Sequence, residues 1–159
     1  MAKTHAAAKT TKSAKTAKSA KTTKKSAAAD TGTSPAPRKP RLPKAVAAAV
    51  RVALDKQGSD VIVLDLRKVG GFTDYFVICT AMNGRQIHAI ADGIEDTLKK
   101  DLGERPTLAE GKAKSEWVLL DYFNFVVHVF GRECRGFYGL EHLWGSAERH
   151  EFSDEASVS

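Results

Sequence analysis

The first 44 residues contain almost no side chain that a hydrophobic core could use. Leu42 is the only Val, Ile, Leu or Phe among them, and all twelve aromatic residues lie between Phe72 and Phe152. Such a segment cannot bury enough apolar surface to offset the entropy lost on ordering. A folded body of roughly 105–110 residues is left, which suffices for one modest core and is small for a self-contained enzyme. We predict a disordered arm with a Pro-rich linker at 1–43, one folded domain at 44–147 and a polar, acidic tail at 148–159.

The basic character of the chain belongs to this arm. The first 44 residues carry ten Lys, two Arg and one Asp, a net charge of +11, whereas the remainder carries a net −5. Six lysines recur at every third residue, a step that does not match the 3.6-residue helical turn: Lys9, Lys12, Lys15, Lys18, Lys21 and Lys24. The arm is either a solubilising segment or a sequence-nonspecific tether to nucleic acid, because each lysine that neutralises a phosphate releases counterions.

Several protein classes are disfavoured by what the sequence lacks. No apolar run approaches the roughly 18–20 residues that span a bilayer, and the N-terminus lacks the apolar segment of a secretory signal. An organellar transit peptide fits poorly, because the arm has no Arg before Arg38 and no amphipathic face. Cys79 and Cys134 form neither a disulfide framework nor a CxxC metal pair. We therefore expect no membrane association and a reducing compartment, most simply the bacterial cytoplasm.

The apolar pattern after residue 43 predicts alternating helices and strands. Pro43 suits the first position of a helix, and Asn83 is a good helix N-cap. We predict helices at 44–57, from Asn83 to about 102 and at 133–144, strands at 61–66, 75–80, 117–121 and 125–130, and a short edge strand around 107–110. The last 15 residues are polar and are expected to fray. This order describes an α/β (α+β) domain with a mixed β-sheet flanked by a few helices.

No catalytic constellation is evident in the sequence. The chain has no Gly-rich phosphate loop and no GxSxG nucleophile elbow, and its histidines lack the spacing of a metal site. Asp65 and Asp74 flank one turn, either as a carboxylate pair for a divalent ion in nucleotidyl transfer or as capping and turn residues. Cys79 is expected in the core, and Cys134 is the candidate for a reactive thiol. We predict a protein that is not an enzyme and has no cofactor or metal.

His128 stands out within the second strand of the predicted hairpin. It alternates with Val126 and Phe130, so that the three side chains share one face of the strand. Two interpretations are open at this point. His128 is either a partly buried, hydrogen-bonded histidine or a polar spot on an otherwise apolar recognition face.

The closing helix separates an inward face from an outward face. Phe137, Leu140 and Trp144 are spaced to pack inward, which leaves Tyr138 and Glu141 on a different face. Tyr, Trp and Arg are enriched in interface hot spots. Trp144 is also compatible with a core position at the helix end. We predict a partner-binding surface on the hairpin face and this helix, with six contributing residues: Trp117, His128, Arg135, Tyr138, Glu141 and Trp144.

Several coupled segments follow one another in a specific order between residues 44 and 147. They are DVIVLDL at 60–66, FTDYFVICTA at 72–81, RQIHAIAD at 85–92, EG at 110–111 before WVLLDY at 117–122, VVHVF at 126–130 and FYGLEHLW at 137–144. In this order they resemble the ribosomal silencing factor, or Iojap, family. Three positions, in two places, depart from the family pattern. The hairpin usually reads Asp-Tyr-Gly-Asp, where this chain has Phe123-Asn124 after Asp121-Tyr122, and Ser146 replaces an acidic residue.

The resemblance implies a nucleotidyltransferase-like mixed sheet without that superfamily's catalytic residues. It further implies binding to the fourteenth protein of the large ribosomal subunit, on the intersubunit face. A protein bound there blocks joining of the small subunit and lowers translation when nutrients are scarce. Relatives in mitochondria and chloroplasts act in organelle ribosome assembly. Some members are dimeric when free, so we expect a monomer or a homodimer.

The arm lies outside this resemblance and keeps an alternative open. The acidic body suits a basic ribosomal protein, whereas the basic arm suits a surface of ribosomal RNA. If the arm is the active part, the chain is instead a nucleic-acid-binding protein. A ribosome-assembly role in an organelle is the other alternative.

Overall fold

The computed structural model describes residues 40–112 and 116–154. The predicted arm up to residue 39, with its six regularly spaced lysines, lies outside the described residues, as does the tail from residue 155. The described helices are α1 (Lys44–Asp55), α2 (Gly84–Leu102), α3 (Arg132–Tyr138) and α4 (Leu140–Leu143). The described strands are β1 (Ser59–Asp65), β2 (Tyr75–Ala81), β3 (Leu108–Glu110), β4 (Trp117–Asp121), β5 (Phe125–Gly131) and β6 (Glu148–Phe152).

The six strands form one sheet in the order β3-β4-β5-β2-β1-β6. β2 and β5 pair in parallel, and the other neighbouring strands pair antiparallel. β4 and β5 form the predicted hairpin. The predicted mixed sheet flanked by helices is therefore confirmed.

One face of the sheet, which we call the helix-covered face, packs against α1 and α2. Val77 and Val127 on this face are fully buried together with Ile90 and Ile94 of α2. The long helix begins where predicted, because the Asn83 side chain accepts a hydrogen bond from the Gln86 backbone N–H at 2.9 Å. Capping of this kind satisfies a backbone donor that the helix itself leaves unpaired.

The opposite face, which we call the open face, has a smaller cover. Its core residues are Ile62, Leu64, Leu66, Phe76, Ile78, Val126 and Phe130. Part of this core lies against Cys134 of α3, Leu140 of α4 and Trp144, all of which are partly buried. The sequences of β1 and β2 are nearly continuous apolar runs because each strand has apolar neighbours on both faces of the sheet.

The predicted closing helix at 133–144 is wrong in one respect, because the segment is two short helices. Gly139 separates α3 from α4 and has φ +54°. That left-handed conformation ends a helix and is accessible to glycine at little steric cost. The change of direction at Gly139 alters which side chains the segment buries.

The prediction of a frayed tail is also wrong for the residues of β6. Glu148–Phe152 pairs antiparallel with β1, and Phe152 packs partly against the core of the helix-covered face. The segment is polar because it lies at an edge of the sheet, where both of its faces are partly open. Charged side chains are common on edge strands, since they discourage pairing with another chain.

Candidate docking surface

β4 shows how differently the two faces are buried. Val118 and Leu120 point to the helix-covered face and are fully buried, whereas Trp117 and Leu119 point to the open face and are half-buried. The neighbouring strand β3 has three residues, all exposed. The open-face side chains of β4 are therefore less covered than those on its helix-covered face.

His128 lies beneath Trp117 rather than at the surface. It is 4% exposed, and its Nδ1 accepts a hydrogen bond from Trp117 Nε1–H at 3.2 Å. A neutral imidazole that accepts at Nδ1 carries its proton on Nε2. Burial lowers the pKa of His128 to about 4, so the ring is neutral near pH 7. This geometry corresponds to the buried, hydrogen-bonded interpretation of His128.

The ring of His128 also belongs to an aromatic group. Its edge meets Phe76 in a T-shaped contact with centroids 4.8 Å apart, and it stacks on Phe130 at 5.9 Å. Nε2 has no hydrogen-bond partner among the described residues. His128 therefore supports Trp117 from below and is itself held by apolar neighbours.

The α3–α4 segment presents apolar side chains to solvent. Phe137 is 84% exposed, Leu143 73% and Tyr138 44%. The prediction that Phe137 packs inward is wrong. The helix ends at Gly139, so Phe137 and Leu140 do not lie on one face of a single helix. Tyr138 contacts Trp117 with centroids 4.5 Å apart, and Phe137 contacts Tyr138 at 5.2 Å.

These side chains make up what we call the apolar surface: Trp117, Leu119, Phe137, Tyr138 and Leu143. Two of its members, Trp117 and Tyr138, were predicted binding residues, and the structure brings them into contact. Trp144, a third predicted binding residue, is half-buried and meets Phe76 at 5.9 Å, in the core beneath the segment.

Arg135 and Glu141 hold the segment in place. Arg135 Nη1 donates to the Asp60 carbonyl at 2.6 Å and to Thr80 Oγ1 at 2.7 Å, and Nη2 donates to Glu141 at 2.5 Å. The hydrogen bond from Arg135 holds the pKa of Glu141 below its usual range. Because its donors reach β1, β2 and α4 at once, Arg135 fixes two helices that are too short to be stable alone.

Asp65 and Asp74, the two carboxylates considered for nucleotidyl transfer, have different surroundings. Both oxygens of Asp65 accept hydrogen bonds from Arg67, the shorter at 2.6 Å. These bonds hold the pKa of Asp65 below its usual range. The Asp74 side chain, in contrast to that of Asp65, is exposed to solvent. Residues 40–112 and 116–154 contain no group of three His, Cys, Asp or Glu that could hold a metal ion.

The two cysteines differ in their surroundings. Cys79 is fully buried in the core of the helix-covered face, and burial raises its pKa to about 12. Such a thiol stays protonated and unreactive at neutral pH. Cys134 is half-buried against the open-face core.

Sequence reasoning missed several exposed apolar residues. Phe72 and Phe123 are each more than three-quarters exposed, at the loop before β2 and at the tip of the β4–β5 hairpin. The only signal in the sequence was that Phe123 departs from the hairpin pattern. Within the ranges that the structure describes, no helix is long and apolar enough to cross a membrane.

Comparison with known proteins identifies relatives of this architecture. Residues 39–159 match the RsfS family, described as ribosomal silencing factor during starvation. Ribosomal silencing factor RsfS of Bacillus subtilis is 39% identical over 93 residues, which cover 58% of this chain and 78% of the relative. In mouse, mitochondrial assembly of ribosomal large subunit protein 1 is 29% identical over 97 residues, covering 60% of this chain and 42% of the relative.

A solved structure extends the likeness to three dimensions. The crystal structure of a protein from Chromobacterium violaceum superposes with a TM-score of 0.61 at 32% identity, covering 64% of this chain and 84% of that one. The family match at 39–159 spans all six described strands, including β6. The superposed structure has the same fold. This chain therefore belongs to the RsfS family of ribosomal silencing factors.

Proposed function

We propose that this protein binds the large ribosomal subunit at its fourteenth protein in the bacterial cytoplasm, and that the bound protein blocks joining of the small subunit. The observation that carries the proposal is the exposed aromatic group formed by Trp117, Tyr138 and Phe137. Membership in a family of silencing factors supplies the ribosome as partner. The name of the mouse relative, which refers to the large subunit, supports the choice of subunit.

The apolar surface has the properties of a protein-binding site. Exposed apolar side chains that contact one another are uncommon on monomers and mark interaction surfaces. Trp and Tyr dominate binding energy where they are held in a fixed orientation. Here Trp117 is fixed by its hydrogen bond to His128, and Tyr138 is fixed by its ring contact with Trp117.

The charge of the body favours the same partner. Residues 45–159 carry a net −5, and a ribosomal protein that lies on RNA is basic. Complementary charge accelerates association and excludes wrong partners more than it adds affinity. A protein seated on the intersubunit face would then act by occupying space, which requires no chemistry.

The test is sedimentation of purified subunits with the protein, followed by a subunit-joining assay. We expect the wild-type chain to migrate with the large subunit and to reduce the joined-ribosome peak. The double variant Phe137→Ala/Leu143→Ala should weaken binding at least about tenfold, as expected of hot-spot residues. Both side chains are exposed, so the melting temperature should change little.

Leu102→Ala is the matched control, because Leu102 is a partly exposed leucine at the end of α2. This variant should bind and block joining as the wild type does. Absence of wild-type co-migration would overturn the proposed function. Normal binding of the double variant would overturn the role of the apolar surface.

We further propose that residues 1–39 add a salt-dependent contact with ribosomal RNA. Leu42 packs against the core and the Pro43 carbonyl accepts from the Ala47 N–H at 2.9 Å, so a truncation should stop at residue 39. Removing 1–39 should flatten the dependence of large-subunit affinity on salt, because fewer counterions are released. An unchanged salt dependence would contradict an RNA contact.

A further inference from the structure

Phe123 adopts a backbone conformation that is unusual for a bulky residue. Its φ is +73°, and the Asn124 N–H donates to the Tyr122 carbonyl at 2.9 Å. A hydrogen bond between residues two apart, with positive φ at the residue between them, forms the rarer and strained kind of γ-turn. The Phe123 N–H donates to Asp121 Oδ1 at 2.8 Å, which fixes the turn.

The phenyl ring does not compensate for this strain within the folded chain. Phe123 is 78% exposed, so its ring buries little apolar surface. Glycine would adopt the same φ without a Cβ clash. A strained backbone that carries an exposed aromatic ring indicates a role outside the fold, because strain of this kind persists at functional positions.

The base of the turn is rigidly connected to the neighbouring loop. Thr73 Oγ1 donates to the Phe123 carbonyl at 3.1 Å, and the Asp74 N–H donates to the Asn124 carbonyl at 3.0 Å. Thr73 itself is buried. A ring projecting from so fixed a base loses little conformational entropy when a partner binds it.

A second exposed ring, that of Phe72, lies in the neighbouring loop that holds Thr73 and Asp74. Phe72 is 76% exposed and meets Phe76 with centroids 5.7 Å apart. Phe76 in turn contacts His128 and Trp144 in the open-face core. The Phe72 ring is thus connected to the floor of the apolar surface, and Phe123 is joined to the same loop through its carbonyl.

We propose that Phe123, together with Phe72, inserts into an apolar pocket of the same ribosomal protein that the apolar surface binds. This inference rests on the proposed function and adds a specificity-determining contact to it. A protein is favoured over RNA as the occupant because two carboxylates belong to the turn and its base: Asp121 accepts from the Phe123 N–H, and the exposed Asp74 is hydrogen-bonded through its backbone N–H to Asn124. Two carboxylates would repel a phosphate backbone and attract basic side chains at the rim of a protein pocket.

The experiment compares Phe123→Gly, Phe123→Ala and Phe72→Ala by thermal melting and by affinity for purified large subunits. Both Phe123 variants should bind about tenfold more weakly, since each loses the ring. Phe123→Gly should melt several degrees higher than Phe123→Ala, because only glycine relieves the strain. If the role of Phe123 were purely structural, Phe123→Gly would not combine a higher melting temperature than Phe123→Ala with a lower affinity than the wild type.

The affinities are also measured for the isolated fourteenth large-subunit protein and for naked ribosomal RNA. Loss of affinity for the isolated protein supports the proposal. If the wild type binds and the Phe123 variants bind equally well, this inference fails while the proposed function stands. If the wild type does not bind, the proposed function fails. A loss of affinity that is confined to RNA would overturn the choice of occupant. So would a change in the variants that is confined to self-association, measured by sedimentation velocity.

Discussion

The helix-covered face and the open face come from the same strands, yet they differ in how completely they are buried. Val118 and Leu120 on one side of β4 are inaccessible, whereas Trp117 and Leu119 on the other side are half-buried. Two helices of 12 and 19 residues cover the first face, and two of 7 and 4 residues lie over the second. The comparison suggests that one face supplies stability and the other is left available for a partner.

The largest effect should come from the helix-covered face. Leu98→Ala removes a fully buried side chain of α2 and should lower the free energy of unfolding by about 3 kcal/mol. Leu143→Ala on the open side should change it by less than about 0.5 kcal/mol. Urea unfolding measures both values. Equal losses would contradict the division between the two faces.

The open face should show a dependence on pH. Burial lowers the pKa of His128 to about 4, below its ordinary value of about 6.5. The unfolded chain therefore binds the proton first, so stability is complete above pH 6.5 and falls as the pH drops toward 4. The expected total loss from this group is about 3 kcal/mol.

Urea unfolding at several pH values measures this loss. In His128→Asn, which keeps an acceptor near Trp117, the component of the slope between pH 6.5 and 4 should disappear. The same slope in both proteins would show that His128 does not titrate as its burial requires.

The segment that carries the exposed aromatic residues should depend on Arg135. Arg135→Met removes donors from Asp60, Thr80 and Glu141 and should cost about 2 kcal/mol, because the buried Thr80 hydroxyl and the half-buried Glu141 carboxylate lose a charged donor. Adding Glu141→Gln should restore part of the loss. Hydrogen exchange should report the change mainly in 132–144, and uniform exchange across the sheet would argue against a local role.

The smallest effect should come from the cap of α2. Asn83→Ala removes the acceptor for the Gln86 N–H and should cost about 1 kcal/mol, whereas Asn83→Ser should cost little. Thermal melting of the two variants measures the difference. No comparable side-chain cap bond is present at α3 or α4. A loss of the same size in Asn83→Ser as in Asn83→Ala would contradict the role of the capping side chain.

Most of the fold could be predicted because its signals are local. The apolar runs of β1 and β2, the Asn83 cap and the period of α2 each lie within a few residues. β6 could not be predicted, since its polar residues pair with β1 through backbone hydrogen bonds. The break at Gly139 was also missed, although a glycine inside a helical pattern is a recognised end signal.

The candidate surface was harder to predict because its geometry depends on distant contacts. Arg135 lies 75 residues from Asp60 and 55 from Thr80, so no local pattern reveals that its side chain is engaged. Tyr138 is 44% exposed and Trp117 is half-buried, and residue type alone indicated them as binding residues. Their role in binding remains a prediction, as does that of the lysines in the arm.

The position of β6 has a consequence for synthesis. Among the strands that the structure describes, β1 comes first in the chain, yet its outer neighbour β6 comes last. Chains emerge from the ribosome N-terminus first, so the outer edge of β1 stays unpaired until residues 148–152 have been made. An unpaired edge is a site for wrong association. If the protein acts as proposed, its own sheet is completed only after a ribosome has made residues 148–152.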